Sequence, residues 1–199
     1  MENQLSKVNV NQMVRLAILI SIILLMSYTP LGYLKIGTIE ITFIMIPVVV
    51  GAVVMGPKAG AFLGGVFGFT SFLQCFGFSA FGTILFGINP VFTFILCMVP
   101  RVLMGWLSGL IFKKLHSVDK TNVVSYVAAC ISGALLNTLL FVGFLLVLFG
   151  GSEYIQSFAS NAWGIVVAIV GINGLIEAGV CAVVGASISK ALALIVERK

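Results

Sequence analysis

Charged residues are scarce in this chain: Asp, Glu, Lys and Arg make up 9% of its 199 residues, whereas 60% are hydrophobic. Soluble domains carry about 25% charged residues, so this chain lacks the side chains that would cover a water-facing surface. We therefore expect an all-α membrane protein. Almost every residue falls in an apolar run or a short connector, which predicts one integral membrane domain over residues 1–199.

Catalytic signatures are also missing. The sequence has no G-x-x-x-x-G-K-[ST] phosphate-binding loop, so we expect no nucleotide hydrolysis by this chain and no cofactor of its own. Its one histidine, His116, lies in a polar connector, and no His, Cys and carboxylate cluster has metal-ligand spacing. The four cysteines lie in apolar stretches without a C-x-x-C pair, which favours buried hydrophobic roles. An enzyme is disfavoured, and active transport would need an energy source in another chain.

The apolar runs predict a bundle of six transmembrane helices, because a helix needs about 20 apolar residues to cross the hydrocarbon layer. The first run follows a polar tail without a cleavage site, so we expect a retained helix rather than a signal peptide. The glycine-rich, aromatic stretch 77–88 is assigned to no span. The predicted helices are residues 13–28, 43–55, 59–76, 89–112, 123–149 and 161–195.

The net charge of +5 arises from basic residues at the ends of the apolar runs. This distribution disfavours nucleic-acid binding and matches the excess of Lys and Arg in the cytoplasmic loops of membrane proteins. We therefore expect both termini in the cytoplasm, with Lys35 as the one basic residue in an outer loop. The outer polar loops, 29–42 and 150–160, are long enough to close over a ligand. The inner basic residues are Lys7, Arg15, Lys58, Lys113, Lys114, Lys120, Lys190, Arg198 and Lys199.

Glycines recur every four residues in two of the predicted helices. Small residues at this spacing allow membrane helices to approach closely, which predicts packing within the bundle. The two stripes are Gly60, Gly64 and Gly68 in the third helix and Gly105 and Gly109 in the fourth.

Several polar residues fall at membrane depth, where a polar group is costly unless it faces the bundle interior or a cavity. Pro100 also leaves the carbonyl group of Leu96 without its helical donor, so this oxygen can accept from a nearby donor. The candidate substrate-binding residues are Arg101, Asn137, Asn173 and Glu177, with Gln74 and Asn89 as further candidates.

Arg101 keeps its charge at any ordinary pH and therefore needs a partner. One interpretation is a buried structural ion pair with Glu177. The other is that Arg101 faces a cavity and binds the carboxylate of a small molecule, while Asn137 and Asn173 contact hydroxyl or amide groups. The two interpretations are compatible, because Glu177 can orient Arg101 while the ligand takes the remaining donors.

In its order and spacing of motifs the chain resembles the substrate-binding S components of energy-coupling factor (ECF) transporters. The resemblance covers about residues 13–195. It is carried by Ile46-Pro47 through Gly51, the Gly56-Pro57-Lys58 turn, the segment Gly60 to Gly64, Val99-Pro100-Arg101 before Gly105 and Gly109, Leu136-Asn137-Thr138, Asn173-Gly174 and Glu177-Ala178.

The resemblance implies a six-helix subunit in a bacterial cell membrane, with a vitamin pocket closed from outside by the loop between helices 1 and 2. It also implies partners: a transmembrane coupling protein and two cytoplasmic ATPases that use the ATP. The coupling-protein contact would be made by Ala17 and Ser21, which stand where the family has Ala-x-x-x-Ala; packing inside the bundle is the alternative. The motifs resemble pantothenate-type members most, and pantothenate offers one carboxylate, two hydroxyl groups and an amide.

Other functions stay open at this point. Riboflavin-, folate- and pyridoxine-type members share the scaffold, and Phe76, Phe78, Phe81 and Trp163 are aromatic residues that a flat ring can stack on. A self-contained, ion-coupled secondary transporter is a second class, although six helices without a clear inverted repeat disfavour it. A structural membrane protein without a ligand is disfavoured by the polar residues at similar depth.

Overall fold

A computed structural model describes residues 10–30, 32–36, 39–119, 123–159 and 174–197. Helices make up nearly all of the regular structure in these ranges, and one short hairpin is present. The elements are α1 (Val10–Ser27), β1 (Tyr33–Ile36), β2 (Ile39–Thr42), α2 (Met45–Met55), α3 (Pro57–Gln74), α4 (Ala80–Ile88), α5 (Pro90–His116), α6 (Val124–Phe149), α7 (Glu153–Ala159), α8 (Gly174–Val180), a π-helical turn (Cys181–Gly185) and α9 (Ala186–Glu197).

Four helical segments are long and apolar enough to cross a membrane, which supports the prediction of a helical membrane protein. Each has a stretch of 18 residues that is mostly apolar, the composition of a helix surrounded by lipid or by other helices rather than by water. The number of spans and the side of each terminus stay predictions. The four segments are Val10–Ser27, Pro90–His116, Val124–Phe149 and Gly174–Ala193.

Helix α2 occupies the centre of the bundle. It has 11 residues, about 16 Å of helix, and its residues from Met45 to Val53 are all buried. It packs against α1, α3, α5, α6 and α9. An apolar helix of this length is typical of a buried core element, so α2 organises the helices around it.

The loop segments contain more regular structure than the sequence predicts. Strands β1 and β2 lie in the expected polar loop 29–42 and pair antiparallel, with Tyr33 opposite Thr42. Helix α4 forms in the unassigned stretch 77–88, where the Ser79 hydroxyl accepts a hydrogen bond from the Gly82 N–H at 3.3 Å and caps the helix. Helix α7 lies in the expected loop 150–160. The C-terminal helix, expected from residue 161, is described only from Gly174.

The glycine stripes place α3 and α5 in backbone contact. A Cβ atom at Gly60 would overlap the carbonyl oxygen of Gly105, and one at Gly64 would overlap that of Arg101. At Gly68 it would lie 2.7 Å from the carbonyl oxygen of Cys97. This contact fixes the position of α5 against α3 around Arg101.

All four cysteines are free and buried, as the sequence predicts. The sulfur atoms of Cys75 and Cys97 lie 3.9 Å apart between α3 and α5. They belong to the interior packing of the bundle.

Candidate functional site

Arg101 lies near the middle of α5, directly after Pro100, and its side chain turns back along its own helix. Its Nη1 donates a hydrogen bond to the carbonyl oxygen of Leu96 at 2.8 Å. That oxygen lacks its helical donor because residue 100 is proline, so the contact follows from the Pro-Arg pair in the sequence. The Leu96 carbonyl oxygen, which the proline leaves free, therefore satisfies one donor of the guanidinium but does not neutralise its charge.

The remaining surroundings of the Arg101 guanidinium are aromatic. Its central carbon lies 4.6 Å from the ring centroid of Phe141 on α6 and 5.5 Å from that of Phe67 on α3. Aromatic faces attract a cation but carry no net charge. The Nε atom is buried without a hydrogen-bond partner, and among the residues described no carboxylate pairs with this arginine. Within the described residues Arg101 therefore has an unused donor and no carboxylate in direct contact, and Glu177 interacts with it electrostatically only at longer range.

Glu177, considered above as the counter-ion of Arg101, is hydrogen-bonded to other groups. Its side chain on α8 is 4% exposed. Oε1 accepts a hydrogen bond from the backbone N–H of Thr42 at 2.8 Å, and Oε2 accepts one from the Thr138 hydroxyl at 3.4 Å. Within the described ranges the structural Arg101–Glu177 ion pair is absent, and the two charges have separate partners.

Asn137 lies midway along α6 with 7% of its surface exposed, and its Oδ1 atom has no hydrogen-bond partner. Phe141 follows one turn later on the same helix face, and Thr138 is the next residue in sequence. This turn of α6 therefore reaches the Arg101 guanidinium through Phe141 and the Glu177 carboxylate through Thr138. We refer to Arg101, Asn137, Thr138 and Glu177 as the polar cluster.

Gln74 and Asn89 make local hydrogen bonds outside the polar cluster. The Gln74 Nε2 donates to the carbonyl oxygen of Ser27 at 2.5 Å and ties the end of α3 to the end of α1. The Asn89 Oδ1 accepts from the N–H groups of Val91 and Phe92, both at 3.1 Å, and caps α5. Asn89 precedes Arg101 by 12 residues, or about 18 Å of helix, so it lies towards the end of the bundle.

Asn173 and Trp163 lie outside the described residues. Gly174, the residue after Asn173, begins α8 beside α6, where a Cβ atom would meet the Thr138 hydroxyl at 3.8 Å. Two of the aromatic residues that a flat ligand ring could stack on contact other aromatic residues. The ring centroid of Phe76 lies 4.7 Å from that of Phe86, and the ring centroid of Phe81 lies 6.3 Å from that of Tyr154.

Three contributors to the site were not selected from the sequence. Phe141 is one helical turn from Asn137, a spacing that could have identified it. Phe67 has no such signal, because only the packing of α3 on α5 brings it to Arg101. The Thr42 N–H has none either, since backbone donors occur at every non-proline position.

Ala17 and Ser21 lie on the exposed side of α1. The Ser21 hydroxyl donates to the carbonyl oxygen of Ala17 at 2.8 Å, so its proton is already used within the helix and the outer face of α1 stays largely apolar here. Both residues line a shallow groove together with Val14, Ile18, Ile22 and Leu25. Within the described residues this small-residue pair faces outwards, which disfavours the alternative of packing inside the bundle.

The family is identified by comparison with known proteins. A family model described as "ECF transporter, substrate-specific component" matches residues 11–189, so the chain belongs to this family of substrate-binding membrane transport subunits. The family is a component of transporters and not a family of enzymes. A curated relative from Leuconostoc mesenteroides subsp. mesenteroides, named pantothenate transporter PanT, is 30% identical over 190 residues, with 89% of this chain and 90% of the relative covered.

Proposed function

We propose that this chain captures pantothenate outside a bacterial cell and presents it to an ECF-type importer. The chain forms one integral membrane domain of six spans with both termini in the cytoplasm. Its partners are a transmembrane coupling protein and two cytoplasmic ATPase subunits, which use ATP on its behalf. Membership of the family and the similarity to a relative named for pantothenate support this assignment.

One observation carries the substrate assignment: the polar cluster contains a charged donor and a neutral acceptor that are both buried and unpaired. These are the Nε of Arg101 and the Oδ1 of Asn137. A buried polar atom without a partner costs free energy, and a bound ligand is one way to satisfy it. The polar cluster contains two such atoms, which supports a ligand there. A carboxylate fits the arginine, and a hydroxyl or amide N–H fits the asparagine.

Pantothenate provides these groups in one molecule, with its carboxylate separated from its hydroxyl groups by an amide. In our proposal Arg101 binds the carboxylate, Asn137 and Asn173 contact the amide and hydroxyl groups, and Glu177 borders the site. Phe67 and Phe141 form its apolar wall. Gln74 and Asn89, at the outer end, contact ligand during entry.

The experiment is ligand-induced thermal stabilisation of the purified chain in detergent. A ligand that binds only the folded state raises the melting temperature by mass action. We expect pantothenate to stabilise the wild type, and we expect Arg101→Ala to remove most of the shift. Arg101→Lys keeps the charge but loses the planar donor arrangement, so it should retain a small part.

The control ligands are riboflavin, folate and pyridoxine, none of which should shift the melting temperature. Stabilisation by one of these alone would overturn the pantothenate assignment. Uptake by the chain alone in proteoliposomes, without the coupling protein and ATPases, would overturn the importer assignment and favour an ion-coupled transporter.

A further inference from the structure

The hairpin presents one backbone donor to the polar cluster. The N–H of Phe43 donates to the carbonyl oxygen of Gly32 at 2.9 Å, which closes the base of the hairpin. Successive N–H groups in a strand point to opposite sides, so the N–H of Thr42 points away from β1. A donor on the free edge of a strand must find a partner elsewhere when it is removed from water.

Glu177 is that partner. Its Oε1 lies 2.8 Å from the Thr42 nitrogen, although the two residues are 135 positions apart in sequence. Its other oxygen accepts from Thr138, the residue after Asn137. The end of β2 is therefore two hydrogen bonds away from the helix turn that carries the unpaired Oδ1 atom of Asn137.

A buried carboxylate without a cation needs strong hydrogen bonds to remain in place. Hydrogen bonds to a charged acceptor are roughly twice as strong as neutral ones. In the described part of the chain no Lys or Arg contacts Glu177 directly, and Arg101 acts on it only at longer range. The hydrogen bond from Thr42 is the shorter of the two that its carboxylate accepts there. Carboxylate and hairpin thus stabilise each other.

We propose that Glu177 is a positioning residue that latches the hairpin against the polar cluster, so that a bound molecule leaves only after the Thr42–Glu177 hydrogen bond breaks. The inference deepens the proposed function, on which its binding consequence rests. It assigns Glu177 to control of release rather than to recognition of the substrate.

The latch is tested first without any ligand, by amide hydrogen exchange of the full chain in detergent. Glu177→Leu removes the acceptor, and we expect exchange at the Thr42 amide to accelerate about tenfold or more. Glu177→Gln keeps an acceptor oxygen and should retain most of the protection. The Phe43 amide, held by Gly32 within the hairpin, and the amides of α3 are internal controls that should change much less.

Unchanged protection of Thr42 in Glu177→Leu would overturn the latch, and so would equal loss of protection in Glu177→Leu and Glu177→Gln. If Phe43 and α3 lose protection together with Thr42 in Glu177→Leu, that variant has lost its fold and Glu177→Gln decides the question. Retained protection of Thr42 in Glu177→Gln would then support the latch. Complete loss at Thr42 alone would show that an acceptor oxygen at position 177 does not hold the Thr42 N–H, and it would overturn the latch.

The second arm measures pantothenate binding kinetics. Glu177→Leu should raise the dissociation rate about tenfold or more and change the association rate little, because the latch acts on the closed state. Thr138→Val, which removes only the 3.4 Å contact, should change dissociation less. A loss confined to the association rate would overturn the latch. Absence of pantothenate binding by the wild type would reject the proposed function, while the exchange result on the ligand-free chain would still decide the latch.

Discussion

At the scale of single residues, our proposal implies that Asn137, in the middle of α6, lowers the stability of the ligand-free protein in exchange for ligand binding. Its Oδ1 atom is buried without a partner, and such an atom costs about 1–3 kcal/mol. Ser189 on α9 has the same defect, since its hydroxyl oxygen is also buried and unpaired. The two residues therefore share an energetic cost but differ in location, because only Asn137 belongs to the polar cluster.

Asn137→Leu should leave the ligand-free protein as stable as the wild type or more stable, because the substitution removes an unsatisfied acceptor and keeps the volume similar. The same variant should bind pantothenate about tenfold more weakly or worse, since the ligand loses a buried hydrogen bond. Thermal unfolding with and without pantothenate measures both effects.

Ser189→Ala is the matched control for this prediction. It removes an unpaired buried oxygen that lies outside the polar cluster, so the ligand-induced shift should stay at the wild-type value. A normal shift in Asn137→Leu would contradict the assignment of Asn137 to the ligand.

At the scale of the elements, the contact between α3 and α5 holds Arg101 in place. The helix backbones touch at the glycine positions, so α5 cannot move closer to α3. No flexible side chain lies between the two backbones at these positions, so an added side chain there must displace the helix. Two adjacent glycines in α3 face this contact differently. A Cβ atom at Gly64 would overlap the Arg101 carbonyl oxygen, whereas one at Gly65 would meet only a Val102 methyl group at 3.7 Å.

Gly64→Ala should therefore destabilise the protein by about 1–3 kcal/mol through overpacking and weaken pantothenate binding, because α5 must shift at Arg101. Gly65→Ala meets an ordinary van der Waals distance and gains helix propensity, so it should be neutral or stabilising by up to about 1 kcal/mol. Thermal unfolding and pantothenate titration of the two variants provide the comparison. Equal behaviour of both would show that the backbone contact does not position Arg101.

These elements also show what the sequence can and cannot predict. The long apolar runs and the four-residue glycine spacing are periodic signals, so α5, α6 and close helix packing at these glycines were predictable. The structure adds that the two stripes face each other. The β-hairpin was not assigned, although the sequence carries a signal for it: two short runs that contain isoleucine flank Gly37-Thr38, and a two-residue connection that begins with glycine is typical of a hairpin.

The site divides in the same way. The unusual position of Arg101 beside proline in an apolar run made it a candidate site residue, and the structure places its guanidinium beside the rings of Phe67 and Phe141. The partner of Glu177 was missed because a charge argument favours another charge, Arg101. The structure instead uses the backbone N–H of Thr42.

At the scale of the whole molecule, two surfaces serve different steps of transport in our proposal. The polar cluster lies inside the bundle, between α5, α6 and α8. The groove around Ala17 and Ser21 lies on the outside of α1, whose opposite side contributes the buried residues Leu19, Ile23 and Ser27. The separation predicts that capture and delivery of the substrate can be disrupted independently.

Ala17→Leu should fill this groove and leave pantothenate binding by the isolated chain unchanged. Together with the coupling protein and ATPases it should reduce ATP-driven uptake several-fold, because close helix packing in membranes depends on small residues at the contact.

The matched control is Gly143→Leu. It places the same side chain on an exposed face of α6, where a Cβ atom meets nothing within 4 Å. Both variants should show the wild-type thermal shift with pantothenate. Equal uptake by the two would mean that α1 does not contact the coupling protein, while loss of binding in Ala17→Leu would mean that the two surfaces are not separable.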